Sequence, residues 1–340
     1  MVYRRTSISR ASHLTTENPN DGWFDRQSAE FIKTNGQFAR DPPSPGLTGN
    51  QQNSLRQTVS LLGILHRSII FSSHCPGFLV ISTMSSTECR DLGRVMCIIT
   101  GASRGFGRAL AREMPRLLKP RSVLVLVARS GDELRTLQAE LAESETSKAS
   151  LLVELVVADL AQMEGLESVD IDHIILINNA ASLGDVSRYA KSFTNMAEVD
   201  SYLSFNVSST LCLTARILEA FPQRSGLRRT VVNISSLCAL QPFCSWVLYC
   251  TGKAARDMMF RVLADEEPDV RVLNYSPGPM NTAMQMEARS QTADPGIKKS
   301  FSDMFAQGQL LTCEESCAKL MKLLQEDNYT SGAHIDIYDV

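Results

Sequence analysis

Tyr249 and Lys253 stand four residues apart in the run Tyr-Cys-Thr-Gly-Lys, a spacing that stacks two side chains on one face of a helix. A phenol beside an ammonium can hand a proton to a carbonyl oxygen. A free tyrosine, with a pKa of about 10, is a sluggish donor at neutral pH, and bringing it to about 7 requires roughly 4 kcal/mol of preference for the phenolate. One ammonium about 4 Å away, at an effective dielectric near 20, supplies on the order of that amount. Ser236, earlier in the same stretch, adds a hydroxyl that can hold the carbonyl oxygen. Tyr-x-x-x-Lys also arises by chance on exposed helices, so the pair means something only if the chain builds a site around it.

From Arg94 onward, apolar runs of five to seven residues alternate with amphipathic stretches. That texture predicts an α/β fold, a doubly wound parallel sheet in three layers with helices on both faces. Strands are expected at 95–99, 122–128, 151–157, 173–177, 230–234, 270–275 and 334–338. The first runs into Thr100-Gly101-Ala102-Ser103-Arg104-Gly105-Phe106-Gly107 and then a helical pattern, which Pro115 should end near Met114. Glycines at 101, 105 and 107 permit a sharp turn and let a pyrophosphate approach the main chain, with the amides of the new helix facing it. The second strand ends in Ala128-Arg129-Ser130, the tip that meets the adenosine ribose in dinucleotide folds. A cation there suits a 2′-phosphate, so Arg129, assisted by Arg104, favours NADP over NAD.

The third strand ends at Ala158-Asp159, where Asp159 would accept from the adenine amine. Only 160–172 then separates it from the fourth strand, close to the minimum of about a dozen residues for a parallel crossover. Asn178-Asn179-Ala180 follows, either cleft-lining amides or an ordinary turn. A long helix over 198–220 carries Asn206 among apolar neighbours, as a satisfied core amide or as a site residue. Ser236 falls at the tip of the fifth strand, where ligands bind in such sheets. Pro277 and Pro279 throw the chain over the cleft, and 281–311, without a firm period, reads as a mobile lid. Thr312 and Glu315 form a capping-box pattern for a helix over 312–325.

The chain has 340 residues, 44% hydrophobic and 21% charged, with a net charge of −3. That balance favours neither a nucleic-acid partner nor a membrane surface. Nine cysteines, an odd number lying in apolar runs, suit reduced thiols and a cytoplasmic compartment better than a disulfide framework. Cys313 and Cys317 have no histidine or second cysteine pair beside them, so no metal site is expected. Residues 1–83 are rich in Asn, Ser, Thr, Gly and Pro and read as a disordered extension, leaving 84–340 as a single domain. Arg4, Arg5 and Arg10 with no nearby acid weakly suggest a transit peptide. His66, Arg67, His74 and Pro76 interrupt the apolar run 61–81 and argue against a membrane span. Met84 would serve as the functional start.

Thr-Gly-x-x-x-Gly-x-Gly, Asn-Asn-Ala, the internal Asn206, Ser236 and Tyr249-x-x-x-Lys253, in this order and on these elements, resemble the short-chain dehydrogenase/reductase family. The longer runs Asn233 to Phe243, Tyr249 to Asp257 and Ser331 to Asp336 are similar to a branch of that family that reduces pterin side chains in tetrahydrobiopterin synthesis. The resemblance covers roughly residues 94 to 340, and the short 160–172 connection departs from the fuller helix of the family. It implies a Rossmann fold, NADPH as reductant and a homodimer. It also implies that Tyr249 protonates the carbonyl, Ser236 holds its oxygen, Lys253 grips the nicotinamide ribose, and Asn206 supports a water relay. Leu237 and Gly278 would border the substrate, and Met280, Thr282 and Gln285 the cofactor. Asp336, otherwise an ordinary solvated strand residue, would accept from the amino group and ring N–H of a pterin. A broad carbonyl reductase for dicarbonyls or quinones is the alternative within the same chemistry. A non-catalytic NADP-binding sensor or scaffold is the alternative outside it.

Overall fold

In the computed structural model the described residues are 92–143, 151–157 and 170–340. The expectations for residues 1–83, for Met84, for Ala158 and Asp159, and for most of the 160–172 connection lie outside them.

Three of the predicted apolar runs become strands that are buried along their whole length: β1 (Val95–Thr100), β2 (Val123–Ala128) and β4 (His173–Asn178). Side chains alternate across a strand, so a run buried at every position must feed two cores. Cys97, Ile99, Leu124, Leu126, Ile175 and Ile177 enter one core, while Met96, Ile98, Val123, Val125, Ile174 and Leu176 enter the other. With β3 (Leu152–Val157), β5 (Arg228–Ile234), β6 (Val270–Ser276) and β7 (His334–Asp336) they form one parallel sheet in the order β3-β2-β1-β4-β5-β6-β7. The order reverses between β1 and β4, which pair from Val95↔His173 to Ile99↔Ile177. Outside the carboxyl ends of those two strands lies the crevice where such sheets take ligands.

Helix α1 (Gly105–Glu113) follows β1 and passes into a tighter turn at Met114–Leu117, as Pro115 requires. Helix α2 (Gly131–Glu143) buries Leu134, Leu137 and Leu141. The long helix expected over 198–220 spans Met196–Leu203 (α3) and Ser209–Ala220 (α4), separated by a π-helical turn at Ser204–Ser208. Helix α5 (Val247–Glu266) carries Tyr249 and Lys253.

Two expectations change. Residues 281–311 contain two helices, α6 (Ala283–Gln291) and α7 (Pro295–Ala306). Asp294 caps α7 by accepting from the Ile297 amide, with Pro295 in its first turn. The pair docks on α5: Trp246 Nε1 donates to Thr292 Oγ1 at 3.0 Å and the rings of Trp246 and Phe301 are 5.1 Å apart. The last strand stops at Asp336, because that side chain caps a 3-10 turn over Ile337–Asp339 by accepting from the Tyr338 amide. Helix α8 (Cys313–Glu326) starts with the expected capping box of Thr312 and Glu315.

Candidate active site

The carboxyl ends of β1, β4, β5, β6 and β7 share one edge of the sheet, so residues distant in sequence converge there. At the end of β1, Gly101 (φ 68°) and Gly105 (φ 54°) adopt left-handed backbone. A β-carbon at Gly107 would stand 2.3 Å from the Gly101 carbonyl oxygen, so only glycine lets α1 start this close to the strand. The resulting cradle, with the amides of α1 facing outward and Arg104 exposed at its cap, fits a pyrophosphate. Ser103 and Phe106 are buried beneath it.

Asn179 braces this loop. Its Nδ2 donates to the Thr100 carbonyl at 2.8 Å and the Gly101 carbonyl at 3.3 Å. The exposed Arg129 at the end of β2, next to the half-buried Ser130, places its guanidinium carbon 5.4 Å from the centre of the Phe205 ring. Thr282 meets the loop from the other side, since a β-carbon at Gly105 would lie 3.7 Å from Thr282 Cγ2. Met280 bridges to Leu311. Gln285 is turned inward: it is buried, its amide donates to the Phe301 carbonyl at 3.0 Å, and its oxygen accepts from Arg289. Its side chain therefore braces α6 against α7.

At the end of β5, Ser236 Oγ accepts from the Cys238 amide at 3.2 Å, which leaves its own hydrogen to donate. Leu237 beside it is exposed. Lys253 is buried, and Nζ donates to the Ile234 carbonyl at 2.6 Å and lies 5.5 Å from the centre of the Tyr249 ring. Burial holds the Tyr249 phenol above its usual range, while the nearby Ser236 hydroxyl and Arg256 guanidinium pull the other way. Burial, assisted by the charge of Arg256, brings Lys253 down to about 7. The expectation that Lys253 brings the phenol to neutrality is not met by this geometry. Burial raises the phenol instead of lowering it, and the phenol holds its proton at neutral pH.

Asn206 lies inside the π turn. Its Oδ1 accepts from the Ser182 amide at 2.8 Å, and its Nδ2 donates to the Tyr202 carbonyl at 2.9 Å and to Ser182 Oγ at 3.0 Å. The side chain thus ties α3 to the segment after β4, with both amide hydrogens engaged. The rings of Tyr202 and Tyr249 are buried near each other, and Tyr202 packs so closely on Gly184 that a β-carbon there would stand 2.7 Å from it.

Asp336 ends β7, opposite Ser276 of β6, whose hydroxyl donates to its Oδ2 at 2.6 Å. Gly278 comes against Ile337, with 2.9 Å between its would-be β-carbon and Ile337 Cγ2. Asp336, Gly278 and Ser236 therefore lie along one stretch of the sheet edge.

Three functional candidates were not read from the sequence. Arg256, one turn beyond Lys253, is fully buried and donates to the Asn178 carbonyl, to the Ala180 carbonyl at 3.0 Å and to Asn233 Oδ1 at 2.8 Å. Asp257 accepts from Ser235, Asn233 and His334. Cys250 hydrogen-bonds the buried thiol of Cys238, which brings it below the usual thiol range. Arg256 and Asp257 had a signal: they fall three and four residues after Lys253, on the helical face of the Tyr249 pair. Among the described residues no cluster suits a metal ion, and no helix is long and apolar enough to cross a membrane.

Residues 95–293 match the short chain dehydrogenase family. The sepiapterin reductase of Bos taurus is 51% identical over 259 residues, covering 73% of this chain and 96% of that protein. The benzil reductase ((S)-benzoin forming) of Bacillus subtilis is 29% identical, covering 72% and 97% respectively. Among solved structures, the KRED1-Pglu enzyme superposes with a TM-score of 0.59 at 26% identity, over 71% of this chain and 100% of that one. With the glycine cradle at the switch point and Ser236, Tyr249 and Lys253 converging on the ends of β5 and α5, these likenesses place the chain in the short-chain dehydrogenase family, on its sepiapterin reductase branch.

Proposed function

We propose that this protein is an NADPH-dependent reductase of the side-chain carbonyls of a pterin, sepiapterin or 6-pyruvoyl-tetrahydropterin, in tetrahydrobiopterin synthesis. The observation that carries this reading is the place of Asp336. It puts a carboxylate on the same sheet edge as Ser236 and Tyr249, with lone pairs beyond those engaged by Ser276 and Tyr338. Those lone pairs suit the 2-amino group and adjacent ring N–H of a pterin, and leave its side chain directed toward Tyr249. The 51% identity with a sepiapterin reductase supports the same substrate class.

The glycine cradle from Gly101 to Gly107 would hold the pyrophosphate of the cofactor, with Met280 and Thr282 closing over it. Arg104 and Arg129 would flank a 2′-phosphate, which favours NADPH. When bound, the reduced nicotinamide supplies the hydride that goes to the carbonyl carbon. Ser236 donates a hydrogen bond to the carbonyl oxygen and fixes its position. Tyr249, which holds its proton at neutral pH, gives it to that oxygen as negative charge builds there. Lys253, anchored on Ile234, keeps two hydrogens for the nicotinamide ribose and the phenol side. Asn206 holds the π turn that shapes the wall behind Tyr202.

Leu211 on α4 and Met258 and Val262 on α5 expose apolar surface, which supports a homodimer built on these helices. A reduced cytoplasmic setting suits the free thiols of the described residues.

A second reading, a broad reductase of dicarbonyls, draws on the likeness to benzil reductase. Steady-state NADPH oxidation separates the two. Asp336→Asn should abolish most turnover of sepiapterin while sparing a vicinal dicarbonyl without a pterin ring. Equal loss on both contradicts the anchoring role of Asp336.

A further inference from the structure

The proposed substrate anchor sits on the shortest strand of the sheet. Strand β7 has three residues, pairs among the described residues on one side only, and meets β6 through Asn274↔His334, Tyr275↔Ile335 and Ser276↔Asp336. An edge strand this short has few ladder bonds to hold its position. His334 and Asp336 are two residues apart on it, so their side chains leave from the same face.

His334 is tied to the helix that carries the candidate acid. Its Nδ1 meets Asp257 Oδ2, and because a carboxylate can only accept, Nδ1 carries the hydrogen. The other oxygen of Asp257 accepts from Ser235 Oγ and, at 3.1 Å, from Asn233 Nδ2. Ser235 immediately precedes Ser236, and Asp257 lies one turn beyond Lys253 on α5. One buried carboxylate, 5% exposed, therefore joins the strand of the oxygen-holding serine, the helix of the tyrosine and the strand of the pterin anchor. His334 Nε2 is buried and has no hydrogen-bond partner among the described residues. A buried ring nitrogen without a partner is a cost, offset here by the bond that Nδ1 makes to Asp257.

We propose that His334 is a positioning residue for substrate selection: through Asp257 it locks β7 to α5 and so sets the span from Asp336 to Tyr249. The proposal rests on the reading of Asp336 as the pterin anchor. It makes His334 important for substrates gripped by Asp336 and unimportant for those that are not. A misplacement of about 1 Å between a binding group and the reacting atoms can cost on the order of a hundredfold in rate. A charge-assisted hydrogen bond holds a strand end firmly enough to prevent such drift.

The test measures kcat and KM with sepiapterin and with 1-phenyl-1,2-propanedione for the full-length wild type and variants. His334→Leu removes the donor, whereas His334→Asn places an amide nitrogen where Nδ1 stands. His334→Leu is expected to lower kcat/KM for sepiapterin about tenfold or more, mostly through KM, and to leave the dione within about twofold. His334→Asn should stay within about threefold of wild type on both. If the leucine variant does not fold, His334→Gln, whose amide sits at the Nε2 end, serves as the loss variant. Added to Asp336→Asn, the loss variant should cost nothing further on sepiapterin, since the two residues act through one contact. Equal losses on both substrates, or additive losses with Asp336→Asn, would overturn the positioning role. A wild type that reduces the dione and not sepiapterin would instead overturn the pterin reading itself.

Discussion

Lys253 Nζ donates to the Ile234 carbonyl at 2.6 Å, which ties the ammonium of α5 to the last residue of β5, two residues before Ser236. The hydroxyl and the ammonium are thus held relative to each other by backbone, whatever the loops around them do. The same burial that makes the tie rigid brings Lys253 down to about 7, with the Arg256 guanidinium as the second cause. Burial brings Arg256 itself down to about 10, so it stays charged at neutral pH and is the steadier of the two cations.

This pairing predicts a pH effect. The profile of kcat/KM for the wild type should carry an ionisation near 7 with activity falling as the Lys253 ammonium is lost. Arg256→Met removes a positive neighbour, so the ammonium is kept to higher pH and the ionisation moves in the alkaline direction. The substitution also leaves the Asn178 and Ala180 carbonyls without their partner, at a cost of about 2–4 kcal/mol read from urea unfolding. A profile that does not move contradicts the coupling of Arg256 to Lys253.

His173 gives the fold its own acid limit. It is buried at the start of β4, with Nε2 2.7 Å from Thr230 Oγ1 and Arg228 nearby, and burial lowers it from 6.5 to about 3. The unfolded chain therefore binds a proton that the folded chain refuses. The contribution is fully present above pH 6.5 and is lost as the pH falls toward 3, by up to about 1.4 kcal/mol for each unit. His173→Gln should flatten this limb when unfolding is followed from pH 7 to pH 4, and an unchanged slope would show that other groups govern it.

Cys250 precedes Thr251 on the helix of Tyr249 and is half-buried, and its hydrogen bond with Cys238 lowers it below the usual thiol range while raising its partner. Alkylation by iodoacetamide should rise with pH, reach its plateau at a lower pH than for an ordinary thiol, and map to Cys250 ahead of the buried Cys97, Cys238 and Cys317. Bound NADPH and substrate should slow it. Modification that ignores Cys250, or that shows no pH dependence there, contradicts the pairing.

Arg129, stacked on Phe205 next to the π turn, holds a cation at the tip of β2. Arg129→Ala should weaken NADPH about tenfold or more and leave NADH nearly unchanged, measured as KM for each cofactor. Equal weakening of both would place the guanidinium away from the 2′-phosphate.

Much of this was legible in the sequence where one physical signal dominated. The central strands β1, β2 and β4 announced themselves as apolar runs because a sheet covered on both faces buries every position there, and Val95 to Ile99 illustrates it. The capping box at Thr312 and the break at Pro115 were legible because each rests on local chemistry. The π turn around Asn206 was not, since the bonds that sustain it reach across to Ser182. Helix α7 was missed although Asp294-Pro295 is a start signal, because the weak apolar stripe after it does not stand out. His334 looks like a solvated residue until the fold shows what surrounds it, and Arg256 and Asp257, although on the helical face of the Tyr249 pair, take their partners from distant strands. A charge is legible as buried only when its partners are known, and here they come from β4, β5 and β7.

The most direct test of the central claim is NADPH oxidation by the purified protein with sepiapterin, comparing wild type and Tyr249→Phe, with NADPH binding measured on both. The account predicts sepiapterin-dependent turnover by the wild type. For the phenylalanine variant it predicts a loss in kcat of about a hundredfold to ten-thousandfold with NADPH binding nearly unchanged. Full turnover by Tyr249→Phe, or a wild type that binds NADPH and leaves sepiapterin untouched, would contradict it.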